Sequence, residues 1–252
     1  MRIVRFLHKK QVYWGRLEGE TIVFLAGEQD RRQRFSPKKV LFDDVRLLAP
    51  VAPSKVVCVG LNYKGHAVEL RMPVPAAPLI FIKPSTSVIG PGEKIIYPAG
   101  VGRLDYEAEL AVVIAKTAKN VPFAKVGEYV LGYTCLNDVT ARDLQKNDGQ
   151  WTRAKSFDTF CPLGPWIETE LDTTNLEVRS LLNGKVCQDD RTSGFIFTPD
   201  ALVVFISGVM TLLPGDVIAT GTPMGVGPML PGDTIEVDIE GIGKLTNKVE
   251  KP

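Results

Sequence analysis

The chain has 252 residues, 44% of them hydrophobic and 23% charged, with 30 Lys and Arg against 29 Asp and Glu. Those proportions exclude wholesale disorder and suit one large domain, or a core domain with a small appendage. The net charge of +1 offers no global attraction to nucleic acid or to an anionic membrane, so neither is an expected partner.

From the N-terminus, segments 3–6, 12–17 and 21–25 are short β-type runs separated by Lys-Lys-Gln and Glu-Gly-Glu turns. The basic run Arg31-Arg32-Gln33-Arg34 reads as a solvated loop. Residues 1–50 are therefore expected to form a small N-terminal β subdomain, and a Pro-punctuated connector at 48–53 leads into a main domain over 51–252. Strands dominate from there: 56–59, 79–82, 107–114, 216–219 and 234–239 are rich in β-branched or large apolar residues. Pro199 and Asp200 behind Thr198 predict a buried helix over 199–211 with Thr198 as N-cap, and a weaker helix is expected near 139–146. Leu213-Pro214-Gly215-Asp216 recurs as Leu230-Pro231-Gly232-Asp233, turn chemistry before two successive strands. The expected fold class is a β-rich α+β domain; strands and helices do not alternate, which disfavours a doubly wound nucleotide fold.

The longest nearly apolar run, 201–213, spans 13 residues against the roughly 20 that cross a membrane. The chain does not open on an apolar stretch that would serve as a signal-peptide core. Cys58, Cys135, Cys161 and Cys187 form no CxxC pair, so reduced thiols in a cytoplasmic protein are expected rather than a disulfide framework or a zinc site.

No GxxxxGK(S/T) loop, GxGxxG turn, GxSxG elbow or HExxH helix is present, and His8 and His66 are the only histidines. Chemistry must rest on carboxylates, one histidine and a few cations. In a strand, Asp105, Glu107 and Glu109 share one face beside buried aliphatics. Such a row needs a compensating divalent cation, Lys or Arg, unless this end of the strand simply protrudes into water. Asp138 is either the N-cap of the following helix or a third oxygen ligand. Three carboxylates without sulfur or imidazole suit Mg2+ or Mn2+ and disfavour zinc, and they leave positions for substrate oxygens. His66 and Glu69 share a face within one helical turn: a carboxylate-oriented general base, or incidental charges on a solvated loop. Lys155 is placed to neutralise a substrate carboxylate or enolate, or else lies on an exposed edge. Gly221 and Thr222, directly after a buried strand, hold an anionic oxygen or form only a tight turn.

The order of these blocks is more specific than any one of them. Val59-Gly60-Leu61-Asn62-Tyr63 with His66-x-x-Glu69, then Lys83-Pro84-Ser85, Asp105-Tyr106-Glu107-Ala108-Glu109-Leu110, Asn137-Asp138-Val139-Thr140-Ala141-Arg142-Asp143, Arg153-Ala154-Lys155-Ser156-Phe157-Asp158 and Thr220-Gly221-Thr222-Pro223 together resemble the fumarylacetoacetate hydrolase family. The likeness spans about 55–249 and continues through Asn183-Gly184, Gln188 and Thr192-Ser193, with Phe195 where the family usually has Met. It implies a mixed β-roll, usually homodimeric, holding Mg2+ or Mn2+ on Glu107, Glu109 and Asp138. By the same resemblance Lys155, Arg142, Gln145 and Thr222 bind a small 2-oxo acid, and His66 and Glu69 form the pair on a lid that handles water. Lys83 and Ser85 look like pocket-wall residues. The expected activity is hydrolytic C–C cleavage of an acylpyruvate-type substrate through a metal-stabilised enolate. Isomerisation or decarboxylation of 2-hydroxyhepta-2,4-diene-1,7-dioate or oxaloacetate is the alternative on the same site, and a non-catalytic, metal-stabilised binding module is the alternative from another class.

Overall fold

Period-two alternation sorts the central strands into two cores. In Lys55–Val59, Val56 and Cys58 face one side while Val57 and Val59 face the other; in Ala108–Ile114, Ala111 and Val113 oppose Val112 and Ile114. Burial on both faces makes these strands near-continuous apolar runs, which is why they stand out in the sequence. The computed structural model describes residues 1–25, 35–69 and 71–252, and the run Arg31-Arg32-Gln33-Arg34 lies outside the described residues.

The main sheet runs in the order Phe35–Leu41, Thr21–Leu25, Gln11–Glu18, Arg2–His8, Cys161–Glu168, Val130–Asn137, Ala108–Ile114, Val217–Ala219, Lys55–Val59, Ile80–Pro84. The N-terminal hairpins join it directly, because Arg2 and Ile3 pair antiparallel with Glu168 and Ile167. A second sheet orders Lys185–Arg191, Glu177–Leu182, Thr234–Ile239, Gly243–Glu250 and Lys94–Ile96. Its Val178, Val237, Ile239 and Leu245 pack on Ala108, Leu110 and Cys135 of the main sheet. A third, small sheet joins Thr140–Ala141, Leu104–Tyr106 and Gly227–Met229. The α-helices are α1 Lys64–Glu69, α2 Arg142–Asp148, α3 Thr152–Lys155 and α4 Pro199–Val209. Among the described residues no helix is long and apolar enough to cross a membrane. All four cysteines are free thiols.

The β-rich α+β architecture is as expected, and so is α4: Thr198 Oγ1 accepts the Ala201 N–H at 3.3 Å, while Leu202, Val203 and Ile206 bury against Val57, Val112 and Ile218. The repeated Leu-Pro-Gly-Asp is one turn used twice. Pro sits second and Gly third with φ of +84° at Gly215 and +103° at Gly232, the type II arrangement. Each turn closes by the Asp N–H to the Leu carbonyl at 3.0 Å, and each Asp carboxylate accepts the Leu N–H in return, at 2.8 Å for Asp216 and 2.7 Å for Asp233.

Two expectations need correction. The apolar run 107–114 is not one strand from its first residue: Leu104–Tyr106 pairs with Thr140–Ala141 and Gly227–Met229, whereas Ala108–Ile114 pairs with Val130–Asn137. Glu107 sits at this change of partner. The helix expected near 139–146 begins only at Arg142, with Ala141 at its N-cap position, because Thr140 and Ala141 are drawn into the small sheet. Asp138 therefore caps nothing.

Asp216 is fully buried and accepts from Ser54 Oγ at 2.7 Å, Ser54 N at 3.0 Å and Lys55 Nζ at 2.5 Å. Burial alone would raise its pKa, but the Leu213 N–H, Lys55 and Ser54 hold it below the ordinary carboxylate value. A depressed carboxylate contributes stability above its unfolded pKa and loses it as pH falls. Asp216→Ala is expected to cost about 3 kcal/mol in urea unfolding at pH 7, since it strands a buried network. The deficit against the parent should shrink as the pH is taken below about 4, the ordinary range for Asp.

Candidate active site

Where the chain leaves one sheet for another at Glu107, two backbone N–H groups lose their ladder partners and side-chain amides take them up. Asn137 Oδ1 accepts from Glu107 N at 3.0 Å and Gln188 Oε1 from Ala108 N at 3.0 Å. The switch aims Glu107 and Glu109 at Asp138, whose own N–H donates to the Glu107 carbonyl at 2.9 Å. One oxygen from each of Glu107, Glu109 and Asp138 lies within 4.8 Å of the others, and all three residues are buried. The predicted ligand triad is thus assembled. Asp105, expected on the same face, is not part of it: it bonds Arg103 Nε at 2.7 Å and Arg142 Nε at 2.8 Å.

Cations answer two of the three acids. Lys155 Nζ, 2% exposed, lies 2.9 Å from Glu107 Oε2 and 2.6 Å from Asp138 Oδ2. Lys83, fully buried on Ile80–Pro84, reaches Asp138 Oδ1 at 2.5 Å. Arg142 bonds Glu107 Oε1 through Nη2 and Gln145 Oε1 through Nη1, the latter at 2.6 Å. Burial alone would raise the Glu107 pKa, yet Lys155 and Arg142 hold it down to about 2. Burial likewise opposes the charge on Lys155, and Asp138 and Glu107 overcome it and raise its pKa. Among the described residues no cation is bonded to Glu109, which accepts only the Gly221 N–H, at 2.8 Å. Burial first, and the charges of Asp138 and Glu107 second, hold its pKa well above the ordinary carboxylate value.

The donor set fits a divalent ion. Three hard oxygens converge, one of them uncompensated, and each carboxylate oxygen engaged by a single N–H keeps further acceptor capacity. Mg2+ or Mn2+ would be held by Glu107, Glu109 and Asp138, in company with Lys83, Lys155 and Arg142.

The His66–Glu69 pair is a separate unit. α1 carries both; His66 is buried, and its Nδ1 lies 2.7 Å from Glu69 Oε2. Glu69 Oε1 accepts the Gly225 N–H at 3.1 Å. The 220–225 loop therefore touches both halves of the site, Gly221 on Glu109 and Gly225 on Glu69. Glycine is required at both positions. A Cβ on Gly221 (φ +95°) would lie 2.7 Å from Asn62 Cβ, and one on Gly225 (φ +92°) 2.6 Å from the Cys187 carbonyl oxygen. Thr222 is buried and its hydroxyl donates to the Ala108 carbonyl at 3.0 Å. Ser85 is exposed in a 3-10 turn and makes none of these contacts. Lys83 was placed by sequence only at the pocket wall; its position inside the charge cluster depends on a contact 55 residues away.

Two family models match the chain: one described as Fumarylacetoacetate (FAA) hydrolase C-terminal over residues 55–250, the other as Rv2993c-like, N-terminal over residues 1–50. The Mycobacterium tuberculosis protein Rv2993c is 49% identical, covering 99% of this chain and 98% of its own length. A mitochondrial oxaloacetate tautomerase of Rattus norvegicus is 43% identical over 81% of this chain and 69% of the rat protein. The crystal structure of a 5-carboxymethyl-2-hydroxymuconate delta-isomerase from Mycobacterium smegmatis superposes with a TM-score of 0.95 at 46% identity, with both chains covered in full.

Because burial and the neighbouring acids raise the Glu109 pKa, ion binding there would favour its ionised form, so affinity for Mg2+ or Mn2+ should rise with pH. The ion-induced gain in Tm is expected to be larger at pH 8 than at pH 6 and to vanish in Glu109→Gln. A carboxyl whose pKa the fold raises costs stability as pH rises above its unfolded value, so without ion the Gln variant should melt no lower than the parent at pH 8.

Proposed function

The chain belongs to the fumarylacetoacetate hydrolase family, and on that basis we propose that it is a divalent-metal-dependent enzyme that deprotonates and reprotonates a small 2-oxo acid through its enolate, the net reaction being isomerisation or tautomerisation. The observation that carries this reading is the acid triad set among buried cations. Glu107, Glu109 and Asp138 formally balance Lys83, Lys155 and Arg142. A bound Mg2+ or Mn2+ would supply a Lewis acid there and bring the cluster to a formal +2, the complement of a dianionic 2-oxo or enol acid.

In this reading Arg142, steadied by Asp105 and Gln145, orients the substrate carboxylate, and its fixed fork suits bidentate contact. The Lys155 ammonium, already within hydrogen-bond reach of two ligands, stabilises the charge that develops on the 2-oxo oxygen. His66 moves the proton: Glu69 accepts from Nδ1–H and leaves Nε2 as the base. Isomerisation is put ahead of C–C hydrolysis because the tautomerase and the isomerase are 43% and 46% identical, whereas a fumarylacetoacetate hydrolase and a maleylpyruvate hydrolase of similar fold are 36% and 29% identical. Hydrolysis is the second reading, supported by the same His66–Glu69 pair, which is equally suited to deprotonating a water. A homodimeric state belongs to the same proposal.

The test is a spectrophotometric panel of enol-oxaloacetate, 2-hydroxyhepta-2,4-diene-1,7-dioate and acylpyruvates, with Mg2+, with Mn2+, after chelator, and against metal alone. Turnover of the first two, lost with chelator and reduced about 10²–10⁴-fold in His66→Ala, is the expected result. Turnover confined to acylpyruvates would replace isomerisation with hydrolysis. An ion-dependent rise in Tm without any turnover would make the chain a binding module.

A further inference from the structure

The geometry points to Gln188 as a positioning residue that fixes the metal-ligand strand against the 220–225 loop, an inference that rests on the metal-dependent reading above. Gln188 is fully buried on Lys185–Arg191, a strand of the second sheet that contributes no acid to the triad. Its amide makes three bonds of forced polarity. Oε1 accepts from Ala108 N at 3.0 Å, while Nε2 donates to Thr222 Oγ1 at 2.8 Å and to the Pro223 carbonyl at 2.8 Å. A backbone N–H can meet only the amide oxygen and a carbonyl only the amide nitrogen, so the side chain has one orientation.

What it clamps is the residue between two ligands. Ala108 lies between Glu107 and Glu109, its N–H held by Gln188 and its carbonyl by the Thr222 hydroxyl, which Gln188 itself holds. Ala108 also marks the start of the strand that pairs with Val130–Asn137, where no neighbouring strand takes its N–H. Without the amide, Glu107 and Glu109 lose a fixed offset from Gly221, which bonds Glu109, and from Gly225, which bonds Glu69. Gln188 thus sets the register between the ion site and the His66–Glu69 pair without touching substrate. Supporting groups of this kind govern metal affinity by orienting the ligands.

The experiment compares the parent with Gln188→Met, which keeps length and removes both amide functions, and Gln188→Glu, which keeps an acceptor for Ala108 N and loses both donated bonds. Free Mn2+ is titrated by electron paramagnetic resonance into ion-free, substrate-free protein, with far-UV circular dichroism and the urea midpoint recorded for each. Folded Gln188→Met is expected to raise the Mn2+ Kd about 10–100-fold. It should also lower kcat by more than it changes KM, with Gln188→Glu falling between it and the parent. If Gln188→Met does not fold, Gln188→Glu carries the test, with a weakened Mn2+ Kd still required. A variant that folds, loses stability and binds Mn2+ within threefold of the parent overturns the inference and leaves the proposed function standing. A parent that binds no Mn2+ overturns both.

Discussion

Everything in this molecule is arranged around a concentration of charge in a place that disfavours charge. Three acids, with one oxygen of each within 4.8 Å of the others, lie buried beside the aliphatic run of Ala108–Ile114. Burial and mutual repulsion both raise the free energy of such a group, and the fold answers with Lys83, Lys155 and Arg142, which are themselves drawn out of water. The answer is unequal. Glu107 is held far below the ordinary carboxylate range while Glu109 is left far above it. A network of ion pairs alone would match each acid with a cation; here Glu109 is the acid left unmatched, and a bound cation would supply what it lacks.

Building the cluster requires a break in regular structure. A single strand from Leu104 to Ile114 would have placed Asp105 with the two glutamates; the change of partner at Glu107 sends Asp105 to Arg103 and Arg142 and brings Asp138 in its stead. The same break leaves backbone donors that only side-chain amides can satisfy, which is why Asn137 and Gln188 are buried polar residues in an apolar surround. Irregular backbone and buried amides therefore occur together, because the second is the physical consequence of the first.

Much of this was legible in the residues. Buried strands announce themselves as β-branched runs, Thr198-Pro199-Asp200 marks a helix start by capping chemistry, and Leu-Pro-Gly-Asp demands a type II turn wherever it falls. Glu107, Glu109 and Asp138 were expected together from block order, and they converge. What local pattern cannot carry is partner choice. Nothing within ten residues of Glu107 reveals which strand lies beside it, and nothing around Lys83 reveals that its ammonium meets Asp138. Thr140 and Ala141 have ordinary propensities and join a strand only because Leu104 and Asp105 are opposite them, which delays α2 by one turn.

The pairing of Arg2–His8 with Cys161–Glu168 has a bearing on how the molecule is partitioned. Residues matched by two different family descriptions share one continuous hydrogen-bonded ladder, and the α-amino group of Met1 sits 2.5 Å from Glu168. Severing the first fifty residues would uncover an apolar sheet margin with its amides and carbonyls facing outward, a template for adhesion between molecules. The short leading segment thus covers the strand edge at Ile167 and Glu168, and none of the residues placed in the candidate site belongs to it.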